Sequence, residues 1–151
     1  MRLPAIFSIG NFLRLPCSDR WLPLEATICT AVSGLAIAVL PFRYLGFLAA
    51  RPISKPEPTH QLRMDTVTRI RLAIVFATQH VPWRVRCFQQ GLAAQLMLRR
   101  RGIPSVLYYG ARSDLNGLSA HVWVRDGDID VIGGEVAYQF AVLATFPPLK
   151  T

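Results

Sequence analysis

"WRVRCFQQGLAAQLMLRRRG", residues 83 to 102, places a cysteine directly before an amphipathic helical pattern. Phe88, Leu92, Leu96 and Leu98, joined by Ala93, Ala94 and Met97, give a broad apolar face at helical spacing. Arg99, Arg100 and Arg101 fall in the last turn, where cations suit the helix dipole, and Gly102 is a natural stop. The helix therefore begins at Cys87. A thiolate at that position is stabilised by the positive end of the dipole, and Arg84 and Arg86 act in the same direction. On these residues alone two readings stand: a packed thiol beside a core helix, or a nucleophile mounted at a helix start.

Upstream, Thr66 to Thr78 is a second helix, with Val67, Ile70, Ile74 and Ala77 on one face. "QHVPWRVR" links the two as a loop, because Pro82 ends a helix at or before Val81. "RPISKPEPTH", residues 51 to 60, is a proline-rich linker without periodicity. The N-terminal third is apolar. Its uncharged run from Ala26 to Leu40 is shorter than the roughly 20 residues of a bilayer span. Two short helices broken at Pro41 and packed on the rest of the protein are expected, with an interfacial or membrane-embedded segment as the other option. Residues 1–60 thus form an apolar helical region with a linker, and residues 61–151 the core of one integrated domain.

Downstream the period changes from helix to strand. "SVLYYGA" is strand-like, and "SAHVWVRDGDIDVIGG" reads as two strands joined at an Asp-Gly turn. "EVAYQFAVLATF" is a further strand or a short helix. Helices followed by antiparallel strands define an α+β layout.

The apolar fraction of 52% excludes a disordered chain, and 151 residues suffice for one core. A net charge of +8 points to acidic partners, lipid or polypeptide. Nucleic acid fits less well, because the arginines are dispersed and carry no binding motif. Cys17, Cys29 and Cys87 lie far apart without a CxxC pair, which fits a reducing cytoplasm better than a zinc site or a disulfide framework. "RLPC", ending at Cys17, lacks the small residue and unbroken apolar stretch of a secretion signal.

A nucleophilic cysteine needs a base. His121 lies on the first hairpin strand, alternating with Trp123 and Arg125 on one face. A cysteine at a helix start beside a strand histidine is a common way to activate a thiol; a half-buried structural histidine is the other reading. His60 falls in the linker and His80 in a proline-bounded loop, so neither has a rigid mounting. With a two-residue Asp126-Gly127 turn, Arg125 faces Asp128 and Trp123 faces Asp130. Asp130 is then the diagonal neighbour of His121, roughly 7–8 Å away by Cα. Asp130 is the expected orienting acid, or else a solvated carboxylate paired with Arg125. Trp83 and Trp123, beside the two catalytic candidates, are the aromatic residues expected to meet a substrate.

The combination of "PWRVRC", "LRRRG" at 98–102 and "AHVWV" at 120–124 resembles the transglutaminase-like cysteine peptidases of lasso-peptide biosynthesis. It is most similar to the stand-alone leader-peptidase half of their split B proteins, over about residues 66 to 140. Val122 stands where the family's motif has alanine. The resemblance implies a papain-like or transglutaminase-like fold, with the nucleophile-bearing helix packed on a small antiparallel sheet. It implies a Cys87–His121–Asp130 peptidase that cuts a ribosomally made precursor between leader and core. A separate leader-recognition protein and an asparagine-synthetase-like cyclase are the implied partners, and neither metal nor cofactor is required. One departure matters. The family often places its acid where this chain has "IGG", Ile132 to Gly134, so the acid is Asp130, or Glu135, or the site is a Cys–His dyad. Two rival functions remain: a transglutaminase-type acyl transferase or amidase, and a non-catalytic scaffold holding a biosynthetic complex at a membrane through the apolar N-terminal third.

Overall fold

A computed structural model of the chain describes residues 21–41, 44, 58–115 and 117–148. Of three helices, α1 (Trp21–Val39), α2 (His60–His80) and α3 (Cys87–Arg100), α2 and α3 lie against one sheet and α1 packs on both of them. The strands are β1 (Val106–Asp114), β2 (Gly117–Asp126), β3 (Ile129–Ile132) and β4 (Ala141–Phe146), with a 3-10 helix over Gly134–Gln139. Their spatial order is β3-β2-β1-β4, and every pairing is antiparallel. The α+β class expected from the change of period is the observed one.

The core forms where the inner face of the sheet meets the helices. Leu107 of β1, Val122 and Val124 of β2 and Val131 of β3 pack with Ile70 and Ile74 of α2 and with Ala94, Met97 and Leu98 of α3. Ala26 and Cys29 of α1 belong to the same cluster, so α1 is built into the core and not appended to it. Burial pushes the Cys29 thiol pKa upward, as expected of a packed cysteine. The outward stripe of α1 is different: Trp21, Leu24, Ile28, Val32, Leu35 and Val39 are all exposed. By length and composition α1 is the one helix, among the described residues, apolar enough to cross a membrane.

Three expectations change. The second helix starts at His60, not Thr66. Its extra residues are mostly exposed, and the two apolar ones, Leu62 and Met64, stand two apart, so they leave no helical apolar period to read. They hold Arg63, whose guanidinium binds the carboxylate of Asp126 at the end of β2, with Nε 2.6 Å from Oδ2. His60 therefore begins a helix and is not a linker residue. The N-terminal third contributes one long helix up to Val39, which stops just ahead of Pro41. The second short helix expected after Pro41 falls on a stretch outside the described residues, Tyr44 apart, as do residues 51–57 of the linker and Cys17.

The third change concerns the hairpin. Arg125 pairs with Asp130 and Asp126 with Ile129, so the two-residue turn is Gly127-Asp128. Gly127 has φ +57, at the first central position, which type II′ turns reserve for glycine. Asp126 is not a turn residue at all. It is the last residue of β2, 1% exposed, on the helix side, and its charge is met by Arg63. A bulge between Val124 and Arg125 then resets the pairing, placing Val124 opposite Ile132.

A second ion pair joins α1 to the end of α3. Arg101 donates from Nη2 to Glu25 Oε2 at 2.6 Å and from Nη1 to Oε1 at 3.1 Å, and it also reaches the carbonyl of Met97. The hydrogen bond from Arg101 is the main cause that holds the Glu25 carboxyl below the ordinary carboxylate range; burial opposes it.

Candidate active site

Cys87 is the first residue of α3, after Arg86 in extended conformation. The turn is fixed locally by Gln89, whose Oε1 accepts the Arg86 backbone N–H at 2.7 Å. Gln89 in turn lies against α1, where a Cβ added to Gly34 would fall 2.3 Å from Gln89 Nε2. Cys87 is half-buried against the core cluster, while Arg84 and Arg86 are exposed. The opening amides of a helix have no intrahelical partners, so the thiol shares its end of α3 with a set of N–H donors.

α3 reaches the sheet one turn further on. Gly91 packs on Val122 of β2, with the side chains of Leu107 and Val124 beside it. Val122 is thus on the helix side, and alternation sends its neighbours His121 and Trp123 to the other face. There the His121 ring lies 6.0 Å from that of Trp123 and 5.1 Å from that of Phe140. Trp123 stacks on Tyr108 at 5.5 Å. The Arg112 guanidinium covers the Phe140 ring at 5.1 Å. His121 is half-buried, and its Nε2 lies 2.8 Å from the carbonyl oxygen of Gly133.

The candidates named from sequence fall into three groups. Cys87 and His121 sit on adjoining elements, α3 and β2, but the Gly91–Val122 contact lies on the helix side and the imidazole on the other face, so the two are not brought together and no thiol–imidazole hydrogen bond is present among the described residues. Asp130 does not bond His121. The shifted turn places it directly opposite Arg125, whose Nε donates to Asp130 Oδ1 at 2.6 Å. Its carboxylate also fills the space beside Gly134, where an added Cβ would lie 2.2 Å from Asp130 Cγ. Glu135, the other carboxylate considered, is paired with Arg71 of α2.

Trp83 is 41% exposed on the loop before Cys87 and is open to a substrate. Trp123 is 3% exposed, so it offers little surface to a ligand and instead packs beside the imidazole. His80 ends α2, stacked on Phe76 and bonded to its carbonyl at 2.8 Å. No group of three or more His, Cys, Asp or Glu side chains suited to a metal occurs among the described residues. Sequence reasoning missed Gln89, Phe140 and the Gly133 carbonyl. The Gly133-Gly134 pair was visible, but only as the lack of an acid.

The family model of the Transglutaminase-like superfamily matches residues 31–145, a span that holds Cys87, His121, Asp130 and the whole sheet. No curated protein and no solved structure matches the chain.

Proposed function

The chain belongs to the transglutaminase-like superfamily, and from that premise we propose that it is the cysteine peptidase removing the leader from a lasso-peptide precursor. Membership supports the coarser statement, cysteine-peptidase or acyl-transfer chemistry. The narrower reading is carried by one observation: the three motifs of the resemblance fall on one packed unit. Cys87 opens α3, "LRRRG" closes it, and "AHVWV" is the strand on which Gly91 of α3 rests.

The mechanism requires the Cys87 thiol, on the helix side of the sheet, to meet the His121 imidazole, which alternation directs to the other face; His121 then takes the thiol proton, and the sulfur attacks the carbonyl at the leader–core junction. Amides at the start of α3 stabilise the oxyanion. The protonated imidazole gives its proton to the leaving amine, which frees the core peptide's amino terminus. Water then hydrolyses the thioester, releasing the leader carboxylate and restoring the thiol. Trp83 faces the incoming peptide. Asp130, tied to Arg125, supports the turn against which His121 is held.

A separate leader-recognition protein presents the precursor, and an asparagine-synthetase-like cyclase consumes the product. The test is to search the neighbouring reading frames for a short precursor and a small leader-binding protein and to reconstitute the full chain with them, read by mass spectrometry. Wild type yields leader and core, and Cys87→Ala leaves the precursor intact; processing by Cys87→Ala at the wild-type rate refutes the reading. Adding a primary amine separates the acyl-transferase alternative, which would give leader amide in place of leader acid.

The exposed stripe of α1 favours a second role, anchorage. A non-catalytic scaffold would rest on that stripe alone, and Cys87 would then be inert to iodoacetamide at neutral pH.

A further inference from the structure

We infer that the backbone carbonyl of Gly133 is the group that orients His121, in the place where a triad of this type uses a carboxylate. The inference rests on the peptidase reading for its catalytic meaning, and on the His121–Gly133 geometry for its structural content.

A carbonyl oxygen has no proton to give. The 2.8 Å contact with His121 Nε2 is therefore an N–H···O bond in which the imidazole donates. The neutral ring is held as the Nε2–H tautomer, and Nδ1 carries the lone pair. Any proton that His121 takes from a thiol is taken at Nδ1. A third catalytic member serves to fix tautomer and ring orientation, and the Gly133 carbonyl does both.

The surroundings explain why the position is glycine. Gly133 has φ +75, a conformation that side chains rarely adopt. A Cβ there would lie 2.7 Å from the Val122 carbonyl oxygen and 3.2 Å from His121 Nε2. The backbone thus approaches the imidazole in space that a side chain would fill. Gly134 leaves room for the Asp130 carboxylate, which lies against it while bonded to Arg125. Trp123 and Phe140 flank the ring. The two consecutive glycines that remove the acid from this stretch are the ones that bring a carbonyl to the histidine.

Gly133 is accordingly a positioning residue, and Asp130 acts on the turn and not on the ring. The direct test is nitrogen-15 NMR of the His121 ring in the full chain, with wild type and Asp130→Asn compared under conditions where the ring is neutral. The expected result is a protonated Nε2 and a lone pair on Nδ1 in both proteins. Cleavage by Asp130→Asn is expected to fall by no more than about tenfold, against losses on the order of 10⁴ when an orienting triad carboxylate becomes an amide. A protonated Nδ1 in wild type overturns the inference, as does an Asp130→Asn protein that changes tautomer or loses activity on the larger scale. The tautomer is read without turnover, so the two readings fail separately. Nε2–H in a wild-type chain that cleaves no precursor removes the peptidase reading and keeps the assignment of the carbonyl.

Discussion

Gly91 of α3 and Val122 of β2 meet so closely that a Cβ on residue 91 would lie 2.7 Å from Val122 Cγ1. The helix that starts with the cysteine and the strand that carries the histidine are therefore in direct backbone-to-side-chain contact. Val122 replaces the alanine usual in the motif that the chain resembles, and the glycine opposite accommodates the larger residue.

Gly91→Ala is expected to force α3 off the sheet, against Val122 and its buried neighbours Leu107 and Val124. Overpacking of this kind costs roughly 1–3 kcal/mol, offset in part by the better helix propensity of alanine. The paired change Gly91→Ala with Val122→Ala should recover most of the loss. Urea denaturation of the two variants checks this, and equal destabilisation in both would show that the contact does not limit packing.

His121→Gln keeps a polar side chain of similar reach but supplies no base. Loss of a positioned general base costs typically 10²–10⁴-fold. Precursor cleavage by this variant should fall within that range while its thermal midpoint stays near wild type. Undiminished cleavage would remove His121 from the mechanism.

Asp126→Asn is expected to destabilise by roughly 3 kcal/mol, the low end for breaking a buried ion pair, because the Arg63 side chain retains 22% exposure. For a domain of this size that lowers the thermal midpoint by roughly 10 °C. A shift of only a degree or two would mean that the pair contributes orientation but little energy.

Glu25 gives a pH dependence of defined sign. Its folded pKa is depressed, chiefly by the hydrogen bond from Arg101. The pair therefore stabilises the protein above the unfolded-state value of about 4.3 and ceases to do so as pH falls through the lower folded value. Glu25→Gln should cost on the order of 1–2 kcal/mol at pH 7 and progressively less toward pH 3. A wild-type-to-variant difference that does not narrow in acid would refute the assignment.

Replacing Ile28 and Leu35 by Asp on the outer stripe of α1 removes exposed apolar surface and touches no core residue. Stability should change by about 1 kcal/mol at most, given the weaker helix propensity of aspartate. Flotation with vesicles containing anionic lipid reads the effect. Equal recovery of wild type and variant in the lipid layer would exclude the stripe as an anchor.

Periodic segments were legible in the sequence. α3 starts at the expected Cys87 and stops ahead of Gly102, because an apolar face, a basic last turn and a glycine all mark the same boundaries. The hairpin and its place after α3 were equally readable. Its register was not. The Asp126-Gly127 dipeptide favours a turn locally, but burial of Asp126 against Arg63, 63 positions away in sequence, draws Asp126 into the strand and moves the turn one residue on. That shift sets Asp130 across from Arg125. The bond from His121 to Gly133 was invisible for a related reason: sequence displays side chains, and the partner here is a backbone oxygen.

α3 is fastened to α1 near both of its ends, by Gln89 against Gly34 and by Arg101 on Glu25. One fastening would fix only a point; two fix a direction. The helix therefore behaves as a beam resting on Val122 and pinned on either side of that support, with the sulfur of Cys87 at its tip. Loss of either pin is expected to let the beam pivot on Val122, and the free end beyond Gln89 is the one that carries Cys87.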